Sequence, residues 1–286
     1  MSIQGISDHG RGPTQSSLVY PVLSRRSGGL SLGINLFPDR KRCGFDCPYC
    51  EVRPFEGGAP YSAGRLESEL EDFFARGYAA GWAPRPLRDI CFSGNGEPTL
   101  SPDLWEALEL CAASRRRHAD IAGSAPTVII TNSTGFLDAG ISRRLAAFAA
   151  KEPLKIWAKL DAGSQERFEA MSGSGFQIGD IVSAIGGFAR STPLVIQTMV
   201  CGLGGSKPDD AEALAYASRV NAMLKDGAMI EAIHVYTVAR VPRAAWASPL
   251  TEGEILGFMG RVASALDRPL PISGYGSGEG ELLLEP

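Results

Sequence analysis

The sequence predicts an α/β protein of six strand–helix units, and three observations carry that prediction. Six short apolar runs alternate with stretches of helical apolar spacing from about residue 30 to residue 265. One run, Thr127–Thr131, is apolar almost throughout, as a strand buried on both faces of a parallel sheet should be. Several runs give way at once to polar or glycine-rich turns, and parallel sheets carry their functional loops at that end of the strands. Six units fall short of a closed eight-unit barrel. An open (β/α)6 partial barrel is therefore the natural arrangement, with a flat doubly wound sheet as the alternative.

Residues 1–28 are rich in Gly, Ser, Pro and Arg and lack apolar periodicity apart from Leu18-Val19-Tyr20. They read as an extension that covers one end of the domain or orders on binding, with Arg25-Arg26 a solvated pair or a contact for an anionic substrate group. Residues 29–286 then form one domain with a C-terminal tail. Leu30–Phe37 is the first strand, and Pro38 marks its exit. Ser62 caps a helix whose Leu66, Leu70, Phe73 and Phe74 share a face, loosened at its end by Gly77. After a second strand, Asp89–Ser93, Ser101 and Pro102 start a helix through Leu104, Leu108 and Cys111. Thr127–Thr131 is followed by a helix marked by Ile141, Leu145 and Phe148, then by a strand from Leu154 to Leu160. Ser164 caps a short helix containing Phe168, and Ile181, Ile185 and Phe188 mark the next one. A strand over Leu194–Val200 leads to a long helix through Leu214, Ala217, Val220 and Leu224, then to a strand over Ala232–Val238. Thr251 and Glu254 make a capping box for the last helix, which carries Ile255, Phe258 and Val262. Gly274–Gly280 is flexible by composition and receives no role, while Leu282–Leu284 is expected to pack against the domain.

Lys and Arg number 28 and Asp and Glu 32, a net charge of −4, so no overall basic field advertises nucleic acid. Six cysteines, half of them clustered, do not make a disulfide framework and fit a reducing compartment. The first residues are too polar for a signal peptide, and no apolar run approaches a membrane span. A cytoplasmic protein with no membrane partner is expected.

Chemistry concentrates in Cys43-Gly-Phe-Asp-Cys47-Pro-Tyr-Cys50, which places three thiols within eight residues. So short a loop can aim three sulfurs at one point, which is metal-ligand spacing. A closed structural zinc site needs four protein ligands, whereas three leave an open position. Thiolates also suit iron–sulfur clusters. A zinc site completed by a distant residue, or an ordinary electron-transfer cluster, stands as the alternative. Cys91, Cys111 and Cys201 are scattered singly in apolar contexts and read as small core residues, and His234 as a satisfied core or edge residue. The second strand ends in Ser93-Gly94-Asn95-Gly96-Glu97-Pro98, where two glycines would let a ligand approach the backbone and Glu97 would face its ammonium group. Other strand ends offer Asn132, suited to a ligand or to a turn, and Asp161, suited to a ribose hydroxyl or to capping the turn at Ser164. Gln197 lies inside an apolar strand, where it must reach a ligand or neighbouring backbone.

The cysteine run, with aromatic Tyr49 before the last thiol, resembles the signature of the radical S-adenosylmethionine (radical SAM) enzymes. That resemblance implies the partial barrel of the radical SAM type. It also implies a [4Fe–4S] cluster on Cys43, Cys47 and Cys50, with SAM at the fourth iron, and reductive cleavage of SAM to a 5′-deoxyadenosyl radical that abstracts hydrogen from a substrate. The glycine turn is similar to the family's Gly-Gly-Glu segment, in a Gly-Asn-Gly-Glu-Pro variant like that of relatives of the wyosine-base (tRNA-modifying) synthases. Ser31–Asn35 and Val235–Arg240 also look like that group. Tyr49, Ser93, Gly94, Asn95, Gly96, Glu97, Asn132, Asp161, Gln197 and Thr237 are the implied SAM contacts, with adenine contacts at the end of the sixth strand near Tyr236, Thr237 and Arg240. There is no second cysteine cluster and no flavin domain, so electrons would come from a flavodoxin or ferredoxin. The substrate stays open among a tRNA base, a small metabolite and a partner protein's glycyl radical site, and the acidic charge weighs against tight RNA binding.

Overall fold

The structure, a computed structural model, describes residues 17–276, 278 and 280–284 of the chain. The described chain divides into two compact units. The first takes the described residues up to Cys43, then Val52–Ile130 and Ala150–Lys155. The second takes Gly44–Glu51, Thr131–Ala149 and everything described from Ile156 onward.

In the first unit, strand β1 (Val19–Ser24) pairs antiparallel with β2 (Gly29–Ile34), and β2 pairs parallel with β3 (Leu87–Phe92). β3 in turn pairs parallel with β4 (Thr127–Thr131). Between β2 and β3 lie helix α1 (Ala63–Asp72), one wide turn over Phe73–Gly77 and the single-turn α2 (Tyr78–Gly81). Ser62 caps α1 by accepting from the Arg65 amide, as its position foretold. The chain does not loosen at Gly77. Instead the Tyr78 amide reaches five residues back to the Phe73 carbonyl and the helical path continues. Helix α3 (Leu104–Arg117) and the short α4 (Ala119–Ala122) precede β4. Ser101 does not cap α3, which starts two residues later than expected with Asp103 at the cap position, because Pro98–Leu100 first makes a tight turn and the Ser101 hydroxyl accepts from the Asp103 amide. Leu30, Leu32, Ile34, Leu66, Leu70, Ile90, Phe92, Leu104 and Leu108 are fully buried or nearly so.

The second unit contains α5 (Ala139–Ala149), the greater part of β5 (Leu154–Lys159), α6 (Gln165–Ser172), α7 (Ile178–Ala189) and β6 (Leu194–Met199). There follow β7 (Gly202–Leu203), α8 (Asp210–Lys225), β8 (Ile230–Tyr236), β9 (Ala247–Ser248), α9 (Glu252–Ala265), β10 (Ile272–Tyr275) and β11 (Leu282–Leu283). β5, β6, β8 and β10 pair in that order, all parallel, β11 pairs antiparallel with β10, and β7 and β9 form a separate ribbon. Both partners of the Thr251–Glu254 capping box are in place.

Three expectations change. Val19–Ser24, read as part of an extension, is a paired strand, and Arg25-Arg26 sits in its hairpin turn, where the Gly28 amide donates to the Arg25 carbonyl. The tail assigned no role supplies a further parallel strand. Gly274 belongs to β10 because a Cβ there would stand 2.6 Å from the Met259 sulfur of α9, so its glycine marks close packing. Ser277 and Glu279 of that stretch, like residues 1–16, 285 and 286, lie outside the described residues. Finally, α8 is rotated from its expected phase. Leu214 is 55% exposed, while Ala213, Tyr216, Ala217, Val220 and Met223 face inward.

Candidate functional site

In the first unit, β3 runs directly into the glycine turn. Asn35, just past β2, organises it: its Oδ1 accepts from the amides of Phe37 and Asn95, both at 3.1 Å. Asn95 returns a bond from Nδ2 to the Phe37 carbonyl at 3.1 Å. Backbone bonds join the turn to the residues before Cys43, with Arg42 N donating to Asn95 O at 3.1 Å and Glu97 N to Arg42 O at 2.8 Å. The glycines also answer a need of the chain's own packing. A Cβ on Gly94, whose φ is +131°, would fall 2.7 Å from Asn35 Oδ1, and one on Gly96 would fall 2.0 Å from the Arg42 carbonyl. The space is occupied by the chain itself. Ser93 Oγ pairs with the Tyr20 hydroxyl at 2.7 Å. Glu97 is buried, and its Oε1 accepts from the Thr99 amide (3.1 Å) and hydroxyl (2.7 Å), capping the Pro98–Leu100 turn.

In the second unit, Gly44–Glu51 forms a loop with Cys47 and Cys50. The loop closes on itself through Cys50 N donating to Cys47 O at 3.1 Å. Its outer side is tied by the segment after β8. Arg243 N donates to Cys50 O at 2.8 Å, Ala244 N donates to Pro48 O at 3.0 Å, and the Arg243 guanidinium binds the Asp46 carbonyl and carboxylate, each at 2.8 Å. Arg240 pairs with Glu51. Asp46 N also donates to Ser172 O at 2.7 Å, and Phe45 packs edge-on against Phe168 at 5.7 Å. On the inner side Tyr49 packs with Met171, Met199, Cys201, Leu203, Val238 and Ala247, and Cys47 and Tyr236 lie against this cluster.

Tyr49 is the centre of a polar network inside that apolar surround. Its hydroxyl donates to Asp161 Oδ2 and accepts from Lys159 Nζ at 2.7 Å. Lys159 and Asp161 pair directly at 3.1 Å, and the ammonium lies 4.6 Å from the Tyr49 ring centre. Asp161 Oδ1 accepts from the Met199 amide at 2.8 Å. Burial works to lower the Lys159 pKa, but Asp161 and Tyr236 outweigh it and the net shift is upward, so the side chain is an ammonium. Tyr49 is pushed well above its ordinary value by burial and by Asp161. Desolvation pushes the half-buried Cys47 thiol up to about 12, with Lys159 working against it, so any metal bound there must displace a proton.

The remaining expected contacts divide. Asp161 neither caps the turn at Ser164 nor stands open. That turn is held by Glu212, which accepts from Gly163 N, Ser164 N and Ser164 Oγ. Asn132 takes its turn-forming role, with Oδ1 accepting from the Thr134 amide (3.0 Å) and hydroxyl (2.7 Å). Thr237 donates to Val200 O at 2.7 Å and accepts from Leu250 N at 2.8 Å. Gln197 is fully buried in register between Lys159 and His234, and the His234 ring meets Trp157 and Tyr275 edge-on. Within this unit the structure thus brings Tyr49 and Asp161 together beside Cys47. Lys159 and Arg243 were not among the expected site residues. The signal for Lys159 was a Lys-x-Asp pair at the end of an apolar strand, two residues apart and therefore on one face. Arg243 gave no signal of its own.

The donor set fits an iron–sulfur cluster chemically. Cys43, Cys47 and Cys50 are in no disulfide and are all partly accessible, whereas Cys91, Cys111 and Cys201 are buried. Among the described residues no three His, Cys, Asp or Glu side chains are gathered at metal-binding separation. Nor is any helix among them long and apolar enough to cross a membrane.

No protein-family model matches the chain. It is 31% identical over 134 residues to a UPF0026 protein of Helicobacter pylori, a match covering 45% of this chain and 38% of that protein. It is 27% identical over 186 residues to a UPF0026 protein of Synechocystis, covering 64% of each. Among solved structures it resembles a radical SAM methyltransferase from Sphaerobacter thermophilus, with a TM-score of 0.62 at 15% identity over 92% of this chain and 78% of that one. SuiB of Streptococcus suis gives a TM-score of 0.59 at 14% identity over 88% and 51%. The α/β fold with parallel strands is therefore the one found in radical SAM enzymes.

Proposed function

We propose that this protein is a radical SAM enzyme whose Cys43, Cys47 and Cys50 hold a [4Fe–4S] cluster. One observation carries the reading: three cysteines outside any disulfide stand within eight residues, one ligand short of a closed site, on a chain with the fold of radical SAM enzymes. When bound, the cluster and SAM would supply a 5′-deoxyadenosyl radical by one-electron cleavage of the sulfonium. The chain's own residues position and shelter that chemistry. Arg243 and Ala244 fix the backbone on which Pro48 and Cys50 sit. Tyr49, Met171, Met199 and Leu203 form an apolar wall that would keep water from the sulfur of Cys47. Glu97, steadied through Oε1 by Thr99, is the carboxylate we assign to the amino group of SAM. The electron donor is a separate flavodoxin or ferredoxin. Of the substrate classes, an RNA base has the support of the Gly94–Pro98 segment, which is similar to that of wyosine-synthase relatives.

The test is anaerobic reconstitution with iron and sulfide, then incubation with dithionite and SAM, with 5′-deoxyadenosine and methionine read by mass spectrometry. Both products are expected, and none from Cys47→Ala. Full activity in that variant would overturn the assignment. A brown, reducible protein that neither binds nor cleaves SAM would be an electron carrier, and a colourless zinc protein a structural module. For the RNA base, bulk tRNA should bind with a steep salt dependence, and no binding at low salt removes that substrate class.

A further inference from the structure

Lysine is seldom buried, and a buried ion pair is weak support for stability, since apolar residues of similar volume often do as well. Lys159 is nevertheless 85% buried on its side chain (15% exposed), at the end of β5 beside apolar Ala158 and Leu160. It is held at 2.7 Å by the Tyr49 hydroxyl, at 3.1 Å by Asp161, and lies over the rings of Tyr49 (4.6 Å) and Tyr236 (5.8 Å). Tyr49 stands between Cys47 and Cys50 in sequence, so the ammonium is bolted to the very loop that carries two of the thiols. Both charges of the pair meet the Tyr49 hydroxyl, and Cys47 packs against the cluster that contains the Tyr49 ring.

We propose that Lys159 is a positioning residue of electrostatic kind: a fixed cation, mounted by Asp161 and Tyr49, that favours the more electron-rich state of the group held by the loop thiols. The inference rests on the iron–sulfur reading above and deepens it. Moving an electron onto the cluster adds negative charge, which a fixed cation nearby stabilises and a fixed anion opposes. Lys159 and Asp161 should thus act with opposite signs, which two merely structural residues would not do.

The measurement is an anaerobic potentiometric titration of the reconstituted full chain, followed by visible absorbance and paramagnetic resonance. Lys159→Met should shift the midpoint to more negative potential by the equivalent of about a tenfold change in the reduced-to-oxidised ratio, about 59 mV for one electron. Lys159→Arg should stay near the unaltered protein. Asp161→Asn should shift the midpoint the other way. Unmoved midpoints in Lys159→Met and Asp161→Asn, or shifts of the same sign, overturn the inference while leaving the iron–sulfur reading intact. If Lys159→Met fails to take up a cluster, uptake restored in Lys159→Arg supports the role of the charge, and failure in both variants overturns it in favour of packing. Absence of any iron–sulfur chromophore in the unaltered protein removes the parent reading, and this one with it.

Discussion

The glycine turn and the cysteine loop both look from sequence like ligand-binding segments, yet they are held in different ways. Residues 93–97 are fixed from nearer in the chain: Asn35 accepts from two amides, Asn95 donates to the Phe37 carbonyl, Arg42 takes and gives one main-chain bond, Tyr20 pairs with Ser93, and Thr99 holds Glu97. Little in that turn is free to move, and its glycines are small because Asn35 and the Arg42 carbonyl occupy the space. Residues 44–51 are tied by main-chain and side-chain groups from far along the chain, with Asp161 at a separation of 112 residues, Arg240 at 189 and Arg243 at 197. The difference teaches that a glycine in a ligand-type motif can be demanded by the protein's own packing. The cysteine loop, by contrast, has its backbone secured from segments far along the chain.

Substitutions sharpen this contrast, and the largest effect is expected in the turn. Gly96→Ala places a methyl group 2.0 Å from the Arg42 carbonyl, a contact that neither main chain can yield cheaply. A loss of about 3 kcal/mol or more in chemical denaturation is expected, and near-normal stability would break the packing account. Asp161→Ala strands the buried Lys159 ammonium and the Met199 amide, which should cost about 3–5 kcal/mol by the same measurement. Asn35→Ala removes the acceptor for two amides and should cost about 1–3 kcal/mol. Arg243→Ala breaks an ion pair whose Asp46 side chain is 58% exposed, so global stability should fall by no more than about 1 kcal/mol. Its signature should be local instead: faster hydrogen exchange at the amides of residues 46–50, with the turn at residues 93–97 unaffected. Faster exchange in both places would show that the two segments are not independently secured.

The smallest effect lies away from both. The Glu254 carboxyl is lowered to about 2, chiefly by its bond to Lys207 and then by the Thr251 amide and hydroxyl. Because its folded value lies below the ordinary carboxylate value of 4.5, its contribution is present above that pH and is lost as the pH falls toward 2. In Lys207→Met the carboxyl resonance of Glu254 should titrate closer to the ordinary value, with thermal stability at neutral pH almost unchanged.

Much of the architecture was legible because its signals are local. Ser62, Ser164 and the Thr251–Glu254 box each cap the helix their spacing announces, and all six anticipated strands are present. Where the reading failed, tertiary packing had overruled composition. Gly274 looked like a flexible tail and is a strand residue pressed on Met259, and α8 turns Leu214 outward because Ala213, Tyr216 and Val220 make the closer-fitting face. The same division runs through the candidate site. The thiols and Tyr49 stand together in sequence. The charged mount on Lys159 and Asp161 and the tie from Arg243 exist only once segments more than a hundred residues apart have met.

The most direct test of the central claim is to measure iron, sulfide and zinc in anaerobically purified protein, and to record the paramagnetic resonance of the reduced form before and after SAM is added. The account predicts iron and sulfide in equal amounts, a signal that changes on addition of SAM, and loss of both in Cys43→Ser, Cys47→Ser and Cys50→Ser. Stoichiometric zinc, or a cluster signal indifferent to SAM and to those three substitutions, would contradict it.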